Sequence, residues 1–147
     1  MFAEKQLIYF TPFYFKSGAP SKNKYFIVLK SDGATSIIAS LPTSIDTLPN
    51  FLTQTHGCIN DEPSCINCYM FEKGKAVCEN GYSFELHTYV HGNEVEQYEV
   101  DIFKKVYTKE DIDYTILGVL KDEEYKALLK CIIEGGSVKN RIKRLLS

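Results

Sequence analysis

The chain lacks tryptophan, and it lacks any apolar run approaching the ~18 residues that a membrane-spanning helix needs. No membrane partner is expected on that ground. The opening MFAEKQLIYF has neither the basic start nor the long apolar core of a secretory signal, so the expected location is cytoplasmic. Five cysteines in that compartment are expected to stay reduced. Net charge is small too: 17 basic against 19 acidic side chains leave −2, and no global basic field announces a nucleic-acid binder. Glycine-rich phosphate loops, Walker motifs and paired-carboxylate signatures are missing, so phosphotransfer from nucleotides has no support. Internal repeats and low-complexity segments are absent as well.

What is present is an ordinary globular mixture of 44% hydrophobic and 24% charged residues over 147 positions, the size of one domain. The 10 Tyr and 9 Phe favour pleated, half-buried surfaces and hence strands. Residues 7–13 read as a first strand and 16–24 as a loop around Gly18 and Pro20. The continuous apolar run YFIVL at 25–29 reads as a buried central strand. A turn at Ser31-Asp32-Gly33 leads to a β-branched strand at 35–41, stopped by Pro42. This close spacing suggests an antiparallel meander or barrel. Residues 42–67 read as an unusually long loop, a frequent home of function. Strands are expected again at 68–71, 76–79 and 83–90, then as one strand over 94–107 with a wet face.

Residues 113–120 are ambiguous, and the signals then turn helical. Asp122 is placed to cap a helix through Ile133, with Tyr125, Leu128, Leu129 and Ile132 as its apolar stripe and Gly135-Gly136 as its end. Ser137 is placed to cap a second helix, with Val138, Ile142, Leu145 and Leu146 on one face. The body is thus 1–107 and the C-terminal helices 122–147, within a single domain 1–147.

Three segments together resemble the PemK/MazF/Kid toxin family. They are the strand, Gly18 loop and Lys24-Tyr25-Phe26-Ile27-Val28-Leu29; the strand SIIASLPTS at 36–44; and Leu117-Gly118-Val119-Leu120 entering the last helix. The resemblance implies a mainly β, SH3-like barrel of six or seven strands with one or two C-terminal α-helices. It further implies metal-independent cleavage of single-stranded RNA, a homodimer and a neutralising antitoxin-like protein. By the family pattern the functional positions are Lys24, where the family has Arg, and Thr43 with Ser44 beside it. A cation there would neutralise charge building on a phosphate attacked by a 2′-OH, and the hydroxyl would help handle protons. The family's Gly-Asp start of the first strand and Arg-Pro pair before the second are absent here.

Two other readings stand beside this one. The first is a non-catalytic module on the same barrel, binding nucleic acid or protein through the loop 42–67. The second is a structural zinc site built from Cys58, Cys65, Cys68 and Cys78, with His56 as an alternative ligand, suggested by the Cys65-x-x-Cys68 spacing. Apart from that zinc no cofactor is expected. A cysteine–histidine nucleophile pair drawing on His56, His87 or His91 has no motif behind it. Cys131 reads as core. Charge is segregated along the chain: Lys139, Arg141, Lys143 and Arg144 face no acid in the tail, whereas 94–113 is strongly acidic. The simplest expectation is that the basic tail docks on that acidic segment.

Overall fold

Period-2 alternation in the first strands divides the core in two. In β1 (Gln6–Phe13) and β2 (Lys22–Ser31), Leu7, Ile27 and Leu29 point to one side while Ile8, Phe10, Phe26 and Val28 point to the other. Both sets are buried, so these strands are covered on both faces, which is why 25–29 reads as an unbroken apolar run. The computed structural model describes residues 2–32 and 35–147; Gly33 of the expected turn lies outside the described residues.

The remaining elements are β3 (Ser36–Ser40), β4 (Gly57–Asp61), β5 (Ile66–Phe71), β6 (Thr88–His91), β7 (Glu96–Glu99), α1 (Val100–Val106), β8 (Tyr114–Val119), α2 (Asp122–Glu134) and α3 (Asn140–Leu146), with a 3-10 turn at Gly92–Glu94. The protein is mainly β. Strands β7-β3-β2-β1-β8 make one antiparallel sheet and β4-β5-β6 a second. A closed barrel, as the resemblance implied, is not formed among the described strands. An isolated bridge ties the segment after β3 to β6 of the smaller sheet: Thr43 N–H donates to Tyr89 O at 2.9 Å and Tyr89 N–H to Thr43 O at 2.7 Å.

One face of the larger sheet packs against β5, α2 and α3 through Tyr69, Phe71, Leu128, Ile132 and Ile142. The other carries an aromatic cluster in which Phe10 meets Phe26 edge-on at 5.2 Å and Phe103 of α1 at 5.8 Å. Edge-to-face pairs like these add about 0.5–1.5 kcal/mol each beyond their burial.

Several expected elements change. Residues 94–107 are not one strand: β7 stops at Glu99 and α1 follows. Val100, Phe103 and Tyr107 recur at 3–4 spacing and are all buried, a short helical period hidden inside what resembles a β-branched run. The loop 42–67 is shortened by β4, a polar edge strand in which only Ile59 is buried. The expected strand at 76–79 reduces to the isolated bridges Ala76 with Ser83 and Cys78 with Leu120, and of the one expected at 83–90 the strand β6 begins only at Thr88.

Helix α2 forms as expected, but Asp122 is its first helical residue rather than its cap, paired to Lys5 at 2.9 Å and Lys126 at 2.7 Å. Helix α3 starts after Lys139, not Ser137, and Leu145 is left largely exposed. The tail docks on the acidic segment: Lys139 pairs with Glu96 at 2.8 Å and Arg141 donates to Gln97 Oε1 at 2.8 Å.

Candidate functional site

Lys22 and Lys24 are two residues apart on β2 and therefore project to the same side of the sheet. Residue 43 follows β3 and is drawn toward β6 by its bridge to Tyr89. His91 ends β6, and Asn93 and Glu94 follow in the 3-10 turn. These segments converge on an open cleft of about 380 Å3 lined by Phe15, Lys22, Lys24, Thr43, Ile45, Thr47, His91, Asn93 and Glu94. Two residues singled out from the sequence, Lys24 and Thr43, thus line one cleft although they belong to different strands. Ser44 is exposed and is not among the lining residues; Ile45, 64% exposed, takes that place.

Burial pushes the Lys24 ammonium below its ordinary range; the Glu94 carboxylate pulls it back up and the Lys22 charge pushes it down again. Thr43 Oγ1 accepts from the Ile45 N–H at 3.2 Å, and its O–H has no acceptor among the described residues. His91 stacks on Tyr89 with centroids 6.4 Å apart and makes no side-chain hydrogen bond among the described residues, so both ring nitrogens are open to a ligand. Two lysines against one glutamate leave the cleft cationic, a match for a phosphodiester. Sequence reasoning kept His91 only as one of three histidines for a thiol, since nothing in its local sequence points to Lys24 or Thr43.

The loop leading away from Thr43 is tied down by polar contacts. Asp46 accepts from Leu48 N–H at 3.0 Å and from Gln54 Nε2 at 3.1 and 3.3 Å, and Tyr89 O–H donates to Gln54 Oε1 at 2.7 Å. The Leu48 and Gln54 hydrogen bonds hold the Asp46 carboxyl below the usual carboxylate range.

The four-cysteine zinc set is not assembled. Cys58 is joined to Cys131 in a disulfide that staples β4 to α2, which also corrects the expectation that every cysteine is reduced. Cys65 is exposed at the β4–β5 turn, while Cys68 and Cys78 are buried in different clusters. His56 is committed elsewhere: its Nδ1 accepts from the Glu72 N–H at 3.0 Å and its Nε2 meets Glu124 at 2.7 Å. Among the described residues no three His, Cys, Asp or Glu side chains cluster in a way that would hold a metal. Cys68 does face His91 across the β5–β6 ladder. Burial, with Asp46 in support, raises that thiol to about 12, so it stays protonated and is no nucleophile. His87 Nδ1 accepts from the Lys73 N–H at 3.1 Å.

Among the described residues no helix is long and apolar enough to cross a membrane. No family model, no curated protein and no solved structure matches this chain. What the fold and cleft define is a class: a two-sheet antiparallel protein with three helices, carrying a cationic, hydroxyl-bearing cleft where the sheets meet.

Proposed function

We propose that this cleft binds single-stranded RNA by a backbone phosphate and cleaves it, as a diverged PemK/MazF-like endoribonuclease whose two sheets are an opened version of an SH3-like barrel. The observation that carries the reading is that Lys24 and Thr43, the positions indicated by the resemblance, line one cationic cleft together with His91. Lys24 and Lys22 hold the phosphate as point charges. Thr43 O–H donates to a non-bridging oxygen as charge builds there. His91 accepts the proton of the attacking 2′-OH, the new P–O2′ bond forms, and the P–O5′ bond breaks. The leaving 5′ oxygen takes a proton from solvent or from the Lys24 ammonium, leaving a 2′,3′-cyclic phosphate and a 5′-OH. A homodimer and an antitoxin-like partner belong to the same proposal, as does a cytoplasmic location.

The test is incubation of a long single-stranded RNA with the wild type, Lys24→Ala, Thr43→Ala and His91→Ala, in chelator, followed by mapping of the fragment ends. Discrete fragments with cyclic-phosphate ends are expected from the wild type, with losses of about 100-fold or more in Lys24→Ala and His91→Ala. Cleavage that survives all three changes would put the activity elsewhere. Intact RNA in every lane from folded protein, with RNA or protein binding retained, would instead favour the non-catalytic binding module. Ser44 lying outside the cleft and Lys standing in place of Arg at 24 are the features that favour that second reading.

A further inference from the structure

A second and larger groove, about 880 Å3, lies on the other side of Phe15, which borders both cavities. Its floor is the buried aromatic cluster, represented by Tyr98, Phe103 and Tyr107. Its rim is unusual. Ile102 and Val106 are an i, i+4 pair on the outer face of α1 and remain 53% and 43% exposed, and Tyr14, which lines the same groove, is 56% exposed. Large apolar side chains exposed together around one groove mark an interaction surface.

Charges of both signs line the groove. Lys16 and Arg141 converge on Gln97: Lys16 donates to its backbone carbonyl and lies 4.5 Å from the Tyr98 ring centroid, and Arg141 donates to its side-chain oxygen. Neither cation is paired to an acid among the described residues. Further along the chain, Glu99 and Asp101 line the groove without a hydrogen-bond or ion-pair partner among the described residues. β7 is an edge strand, and the Lys16 contact shows that Gln97 turns its carbonyl outward from β3. By the two-residue repeat of the ladder, the N–H groups of Gln97 and Glu99 lie on the same open side, whereas the Glu99 carbonyl, at the start of α1, accepts the first bond of that helix.

We propose that this groove docks an extended segment of another protein, with apolar side chains seated against Tyr14, Ile102 and Val106, a lysine or arginine beside Glu99 and Asp101 and an aspartate or glutamate beside Lys16 and Arg141. The apolar rim supplies binding, the outward N–H groups of the strand edge supply backbone donors, and the two pairs of like charges set orientation and selectivity. The inference is independent of RNA cleavage, because none of these residues other than Phe15 borders the cationic cleft.

Labelled peptides capped at both ends test it by fluorescence anisotropy on the full chain: Lys–Leu–Val–Phe–Leu–Glu, the same core flanked by Lys at both ends, and the same core flanked by Glu at both ends. The mixed peptide should bind best, with affinity falling as salt rises. Ile102→Asp with Val106→Asp, both at exposed positions, should weaken it about 10-fold or more while leaving the melting temperature unchanged. Glu99→Lys with Asp101→Lys should shift preference to the Glu-flanked peptide, and Lys16→Glu with Arg141→Glu to the Lys-flanked one. No saturable binding of any peptide, or preferences that ignore both charge reversals, overturns the proposal. So does a wild-type dimer that Ile102→Asp with Val106→Asp converts to monomer, since the occupant would then be a second copy of the chain.

Discussion

The Asn67 amide fills the space that a β-carbon on Gly135 would need. Asn67 is buried on β5, donates from Nδ2 to the Cys131 carbonyl at 3.0 Å, and is pressed on its other side against Gly92. Gly135→Ala and Gly92→Ala should each cost about 1–3 kcal/mol by overpacking. Combining Gly135→Ala with Asn67→Ala should cost less than the sum of the two single changes. Chemical denaturation of the four proteins measures this, and strict additivity would mean that the amide is not what excludes the side chain.

Glu124 joins α2 to the smaller sheet through His56, and Tyr69 O–H donates to it at 2.8 Å. Because His56 Nδ1 already accepts from Glu72 N–H, the ring donates from Nε2 to the carboxylate. Glu124→Ala strips both donors of their acceptor inside the fold and should destabilise by about 2 kcal/mol or more. Tyr69→Phe removes one donor and should cost about 1 kcal/mol. Equal costs for the two changes would argue against a shared acceptor.

Thiol reactivity separates the cysteines. Native protein should react with iodoacetamide at Cys65 alone, denatured protein at three thiols, and denatured, reduced protein at five. Burial keeps Cys78 protonated, raised to about 11, as it does Cys68. Cys58→Ser should lower stability by about 2–4 kcal/mol, since the cross-link spans 73 residues of the unfolded chain. Reaction of four or five thiols without reductant would rule out the staple in the isolated protein.

Acid should loosen the loop that carries Thr43. Asp46, Asp32 and Asp122 are all depressed from 3.8 by hydrogen bonds they accept. A carboxyl with a lowered folded value adds stability that is complete above its unfolded value and is lost as pH falls through the folded one. Melting temperature should therefore decline below about pH 4, and Asp46→Asn should flatten part of that decline. An identical profile in the variant would show that Asp46 is not a contributor.

The central strands were legible because burial on both faces leaves an unbroken apolar run at 25–29, and α2 because its stripe is long enough to show a period. Helix α1 was not, since seven residues with Val100 and Phe103 inside and Ile102 and Val106 outside resemble a β-branched strand. β4 escaped notice because an edge strand of Cys58, Asn60 and Asp61 has almost no apolar signature. Gly135 was read correctly as the end of α2 but for another reason: its φ is −76°, so it serves close approach to Asn67 rather than a left-handed cap. In the cleft, Lys24 and Thr43 were reachable by resemblance. His91 was not, because its neighbours come from β2 and the segment after β3, and only the tertiary fold brings them within reach. The Cys58–Cys131 pairing was hidden for the same reason.

Two amide protons report on all of this at once. Those of Thr43 and Tyr89 close the bridge that ties the segment after β3 to β6, and Thr43 and His91 line the cleft from the two segments so joined. That border of the cleft is a seam. Its geometry lasts as long as those two hydrogens resist exchange with deuterium, so a site that looks like chemistry can be followed as a question of how often a seam opens.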